Sequence, residues 1–282
     1  MRPARPCRLL ASGAPAPGPR LVCPSPAGRG GTSVCTVIID FEPGRAWPIA
    51  VLGLRDEQPG RAWDPPGAWW PGLGDSVRGI HDREAGGAWL ATNDDAPGGP
   101  RAAVVLNRRE DLDMPAAGWT SRGVLPLEAV TTGVDADDAR SARSWNLVEL
   151  HPDRVAVTSW DGTSLRSIDV APGLHLVTHE GPDHLDVPRV HRWRPAFLDV
   201  PSPIGPLDGA TAASWEPWLR TLRSTTTVPA DADEAIVRID DHDGLRLASL
   251  SVTALSLGPD GAVLRNARLA EPGHLPEELV WE

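Results

Sequence analysis

At 282 residues, 41% hydrophobic and 23% charged, the chain has room for one large domain or two small ones with a substantial core. Its formal net charge of −11 repels phosphate backbones and excludes nucleic acid as a partner class. Its longest apolar runs, residues 49–54 and 252–257, fall far short of the roughly 18 residues a membrane-spanning helix needs.

Lys and Tyr are absent while Arg, Pro, Gly and Trp abound, the mark of a genome biased toward G and C, so arginine richness by itself carries no argument. Residues 1–34 hold Arg2, Arg5, Arg8, Arg20 and Arg29 and no acid, which leaves the remainder more acidic than the whole. Rich in Pro, Gly and Ala and ending PSPAGRGG, this stretch lacks the apolar content to offset ordering and is expected to be disordered. Its RLL run is too short for a signal peptide. It reads as sequence upstream of the true start, with translation beginning at Val34 and the mature chain at Cys35 once the initiator methionine is trimmed. Residues 35–282 then form a single domain in a reducing, cytoplasmic setting. Cys7, Cys23 and Cys35 make an odd set with no CxxC pair, so neither a disulfide framework nor a zinc knuckle is indicated.

From Cys35 the pattern is strand-rich. CTVIIDF and PIAVLGL flank the Pro43-Gly44 turn signal and predict an antiparallel hairpin over 35–54. RGIHD, GGAWLATN and RAAVVLN continue the series. SRGVLPLEAV, with Ser121 placed as N-cap, predicts a helix despite Pro126, and 135–143 a second short one. WNLVEL, RVAVTSW, TSLRSIDV and LHLVTHE resume strands. Residues 211–223 predict a helix with Trp215, Trp218, Leu219 and Leu222 on one face, and AIVRID, LRLASLSVTALSL and AVLRNARL close the chain as strands. Hairpin-length connections throughout point to an antiparallel α+β protein.

An ordered set of short motifs runs through this pattern. Cys35 heads a strand, Leu54-Arg55-Asp56-Glu57 ends the next, and then come Trp63-Asp64, Trp70, Gly86-Gly87-Ala88-Trp89-Leu90, Asn107, Ser121-Arg122-Gly123 and Asn146-Leu147. From residue 35 to about 200 this resembles the NRDE family, also called the transport and Golgi organisation 2 family, whose hallmarks are Met-Cys, Asn-Arg-Asp-Glu, GGTWLG and SRG. Leu54 stands where that family usually has Asn, and Ala88 where it has Thr. The resemblance implies a cysteine-type N-terminal-nucleophile hydrolase similar to penicillin V and bile-salt amidases. It also implies their αββα sandwich of two antiparallel sheets between helix layers. Nothing in the resemblance calls for a cofactor or metal. A rival reading on the same scaffold is a non-catalytic carrier of a haem-like or lipid-like molecule, with Cys35 as thiolate ligand.

Under the hydrolase expectation Cys35 is the nucleophile. A free α-amine titrates near ~7.7 to 8, so it can take the proton of its own thiol, which a peptide nitrogen cannot. Arg55, returned alongside Cys35 by the hairpin, is expected to stabilise the thiolate, with Asp56 as partner of the amine. Neighbours on a regular strand point to opposite faces, so Arg55 and Asp56 cannot both face the thiol unless the strand ends there. An Arg-Asp-Glu cluster that merely clamps the strand end is the alternative. Asn107 stands where the amidases place an oxyanion donor worth ~3 kcal/mol, or else it caps the NRRE turn. Trp70, Trp89, Asn146 and His179 are the substrate-binding candidates, with His179 replacing an asparagine of those enzymes. The tryptophans either wall a cleft or simply pack the core. The histidines at 175, 179, 184 and 191 lack the carboxylate or cysteine spacing of a metal site and read as loop and rim residues. The expected partner is a small-molecule substrate or ligand.

Overall fold

The run TVIIDF is apolar on both faces because both faces are covered. A computed structural model of the chain describes residues 8–10, 20–22, 35–110, 112–242 and 245–282. Two short strands, β1 (Arg8–Leu10) and β2 (Arg20–Val22), pair with each other. The rest of residues 1–34, with the expectations of disorder and of a start at Val34, lies outside the described residues. In β3 (Thr36–Phe41), Val37, Ile39 and Phe41 enter one apolar cluster while Ile38 enters another. In β4 (Ile49–Glu57), Ile49 and Val51 join the first cluster and Ala50, Leu52 and Leu54 the second. The two strands form the expected hairpin, in register from Thr36 opposite Leu54 to Phe41 opposite Ile49.

Seven consecutive strands then build a meander sheet in which each pairs with its sequence neighbour. They are β5 (Trp63–Gly67), β6 (Val77–Asp82), β7 (Ala88–Asn93), β8 (Arg101–Asn107), β9 (Trp145–His151), β10 (Arg154–Trp160) and β11 (Leu165–Val170). Between β8 and β9 the chain leaves to make α1 (Val124–Val130) and α2 (Ala136–Ser141), which cover the sheet's outer face through Leu125, Val130, Ala139, Val105 and Leu147. The second sheet carries the hairpin in its middle: β12 (Gly173–Thr178) pairs with β3, and β13 (Gly181–Pro182) with β12. After α3 (Pro188–Leu198) and α4 (Glu216–Thr225) come β14 (Ile239–His242), β15 (Leu245–Gly258) and β16 (Gly261–Arg268), with β15 lying along β4. Val190, Trp193, Phe197, Trp218 and Leu222 from α3 and α4 cover the outer face of this sheet. The layers are thus helices, meander sheet, hairpin sheet, helices, which is the α+β sandwich expected.

Local departures have physical causes. Helix α1 starts at Val124, not after Ser121; the N-cap is Gly123, and the Ser121 hydroxyl accepts the Gly123 N–H at 3.2 Å instead. Pro126 is then a first-turn residue, where its missing N–H costs nothing. The predicted helix over 211–223 divides into a 3-10 segment, Gly209–Trp215, and α4, because Pro217 can only sit in the first turn of a helix.

The glycines of the GGAWL and SRG motifs meet across the layers. Ala88 N–H donates to Gly123 O at 2.8 Å, and a Cβ on Gly87 would collide with the Gly123 carbonyl carbon and oxygen. The substitution Gly87→Ala should therefore destabilise the fold by roughly 1–3 kcal/mol through overpacking, measured by urea unfolding. Ala substituted at the open Gly60 should change it far less.

Candidate active site

Cys35 stands one residue before β3, and the ladders on both sides place its neighbours. Continuing the β3–β4 register by one pair sets Arg55 beside it; continuing the β12–β3 register, where Val177 faces Val37, brings His179 to its other side. The thiol is 3% exposed. Arg55 Nη1 donates to Sγ at 3.4 Å, and Sγ lies 3.9 Å from the Asp56 carbonyl oxygen. Burial pushes the thiol pKa up, and the Arg55 charge opposes this without cancelling it. A thiol held protonated at neutral pH is a poor nucleophile until a base removes its proton.

The adjacency of Arg55 and Asp56 resolves into a division of labour. By strand alternation Arg55 faces the space between the sheets, where its guanidinium lies 4.3 Å over the Trp89 ring and its Nη2 donates to Glu57 Oε2 at 3.0 Å. Glu57, two residues on, therefore shares its face. Arg61 Nη2 approaches Asp82 Oδ2 at 2.8 Å, and the same oxygen accepts Trp89 Nε1–H at 3.1 Å. Burial pushes the Asp82 carboxyl up, but the Arg61 charge with hydrogen bonds from Arg61, Ala85 and Trp89 outweighs it and holds the group below its ordinary value. Asp56 points the other way, toward the helix side, where Ser249 Oγ–H donates to its carboxylate at 2.6 Å next to a bulge in β15. On the thiol side Arg55 is therefore paired with Glu57, while Asp56, expected as partner of the amine, offers the thiol its main-chain carbonyl.

The other candidates separate. Asn107 is in register with Trp145 and follows the alternation of Ala103 and Val105, which face α1 and α2, so β8 carries it on the face away from the thiol. Asn146, one register step along on β9, does face inward. Both its amide hydrogens go to main-chain oxygens, those of Thr178 at 2.7 Å and His179 at 2.8 Å, and its Oδ1 accepts from Ser159 at 2.6 Å and Arg108 at 3.2 Å. It ties the meander sheet to the turn bearing His179 and keeps no donor for a ligand. Trp89 is buried beneath Arg55 in the inter-sheet core, whereas Trp70 packs with the outer cluster and donates to Gly86 O at 2.9 Å.

His179 is buried, with Nε2 3.5 Å from Glu180 Oε1. Burial, then the charges of Arg109, Arg189, Arg108 and Arg238, push its pKa down to about 3, so the imidazole is neutral at physiological pH. His175 has both ring nitrogens engaged, by Asp183 at 2.6 Å and Ala171 O at 2.8 Å, and no group of three metal-ligating side chains occurs among the described residues. Four buried or half-buried residues at the site, Arg61, Asp82, Arg122 and Arg189, had no sequence signal beyond the SRG motif for Arg122. That guanidinium is buried, donates to Ser144 O at 3.1 Å, and is pushed down to about 10 by burial and then by the Arg55 charge.

Removing the Arg55 charge removes the influence that most opposes the upward shift of the thiol. In Arg55→Gln the alkylation rate of Cys35 by iodoacetamide at pH 7.5 should fall severalfold, because the cation that favours the thiolate is gone. An unchanged rate would mean that the contact is structural only.

The ordered motifs agree with the comparison to known proteins. No curated protein matches the chain. Residues 34–186, more than half of its length, match the family described as Transport and Golgi organisation 2, and the chain belongs to that family.

Proposed function

We propose that the protein is a cysteine amidohydrolase of the N-terminal-nucleophile type, acting on a non-peptide amide from a mature chain that begins at Cys35. The observation that carries this reading is the Cys35–Arg55 contact at the head of a central strand. The thiol has a fixed cation at 3.4 Å and a raised pKa, so it needs a base close to its own sulfur. A freed α-amine at the same residue meets that need. In the proposed reaction the amine takes the thiol proton, and sulfur attacks the amide carbon. The nitrogen leaves with that proton, and water then cleaves the resulting thioester to regenerate the thiol. Arg55 stabilises the thiolate, and Glu57 and Trp89 hold Arg55 in place. Asn107 is not assigned the oxyanion role here, since its strand turns it away.

The rival reading, a carrier of a haem-like or lipid-like molecule, draws less support. Trp63 and Trp89 pack against each other at 5.3 Å within the core, and the cavity at His179 is bounded mainly by arginine, histidine and carboxylate side chains.

Protein expressed from its native gene should begin at Cys35 by intact mass. Incubated with acetyl- or phenylacetyl-p-nitroanilide at pH 7.5, it should release p-nitroaniline and carry a hydroxylamine-sensitive acyl mass on Cys35. Both signals should vanish in Cys35→Ala. A chain that retains residues before Cys35 and gains no acyl mass would contradict the proposal.

A further inference from the structure

At His179, which the β12–β3 register sets next to Cys35, opens a cavity of about 310 Å³ with a cationic inner wall. Arg109, His179 and Arg189 line it, and its carboxylates, Glu180, Asp186 and Asp233, are all at exposed positions. Arg189, the second residue of α3, is 1% exposed, yet its Nε and Nη1 have no hydrogen-bond partner among the described residues. Arg238, immediately before β14, is 3% exposed and likewise has Nε and Nη1 without partners; its Nη2 is 3.6 Å from Asp240. His179 adds an unpartnered Nδ1 on the same wall.

This is an unusual arrangement. Buried guanidinium groups in folded proteins are normally hydrogen-bonded and paired, because a dry, unmatched charge is costly. Here burial and the repulsion of Arg238 lower the Arg189 pKa to about 9, although Asp56 and Cys35 act in the opposite sense. Arg189 therefore remains charged at neutral pH, facing a second buried arginine. Neither the Glu180 nor the Asp233 carboxylate hydrogen-bonds to this pair among the described residues, and Glu180 lies instead toward Arg108 and His179. Arg189 thus brings a buried charge with unpartnered N–H groups to the wall of a cavity whose own carboxylates do not hydrogen-bond to it among the described residues.

We infer that this cavity binds an anionic group, a carboxylate or a phosphate, on the small molecule handled at Cys35, with Arg189 as its buried donor. Only the link to Cys35 chemistry rests on the proposed hydrolase; anion binding stands apart from it. The planar fork of an arginine matches two oxygens of either group. The exposed carboxylates at the mouth favour a molecule that brings its negative charge only to the inner wall and presents a neutral or cationic part outward.

The test is calorimetric titration of the full chain with sodium phosphate and, separately, sodium acetate, at constant ionic strength. At least one anion should bind saturably, and whichever binds tighter identifies phosphate or carboxylate as the preferred group. Affinity should fall at least tenfold in Arg189→Gln, or in Arg189→Lys should the first variant fail to fold, because an ammonium lacks the two-pronged donor. Cys35→Ala should bind as the unaltered protein does, which separates the anion site from the hydrolase reading. Absence of saturable binding of both anions, or affinities unchanged in the folded arginine variants, would overturn the inference.

Discussion

The site depends on one constraint: a charged arginine is held between two sheets, where only a few groups can balance it. Arg55 is placed there by the alternation of β4, and three contacts secure it: the Cys35 sulfur, the Glu57 carboxylate and the Trp89 face. Each of these contacts depends on another layer of the molecule. Trp89 is fixed by its hydrogen bond to Asp82, Asp82 by Arg61, and Arg61 approaches Glu57 at 3.8 Å, which closes the ring of opposite charges. Buried ions tolerate their surroundings only when matched in this way. The Arg-Asp-Glu motif therefore combines two readings, since it clamps the strand end by ion pairs and sets the electrostatics of the thiol.

A second constraint joins the sheets at the same end of the sandwich. Asn146 hydrogen-bonds across to the Thr178 and His179 carbonyls, so the turn that carries His179 cannot drift from Cys35 without breaking two buried hydrogen bonds. The Gly87–Gly123 approach does comparable work on the other side, bringing the SRG segment and Arg122 toward Arg55. Motifs far apart in the chain thus converge because each supplies either a charge or the small residue that lets a charge approach.

The strand positions and the antiparallel α+β class were largely legible in the sequence, because TVIIDF, IAVLGL and LRLASLSVTALSL carry their burial in their own composition, whereas the layered sandwich was an expectation of the family resemblance. The site was legible only in part. Cys35 and Arg55 could be paired because a hairpin register is local. Asn107 could not be placed, since a single residue of phase decides which face of β8 it occupies. Helix α3 went unread because its polar, proline-bearing sequence PRVHRWRPAFL shows little apolar periodicity, although Val190, Trp193 and Phe197 do pack inward. Arg189 and Arg238 were hidden for a related reason: in an arginine-rich chain nothing local distinguishes a buried guanidinium from a solvated one, and only the tertiary packing does so.

The central claim is that the sulfur of Cys35 is activated by the amine of its own residue against the fixed charge of Arg55. The most direct measurement compares the pH dependence of Cys35 alkylation in two proteins, one beginning at Cys35 and one retaining Val34 before it. The account predicts that the first reacts faster at neutral pH, with an inflection near ~8 from the α-amine, while the second shows only the raised thiol titration. Identical profiles for the two proteins would contradict it.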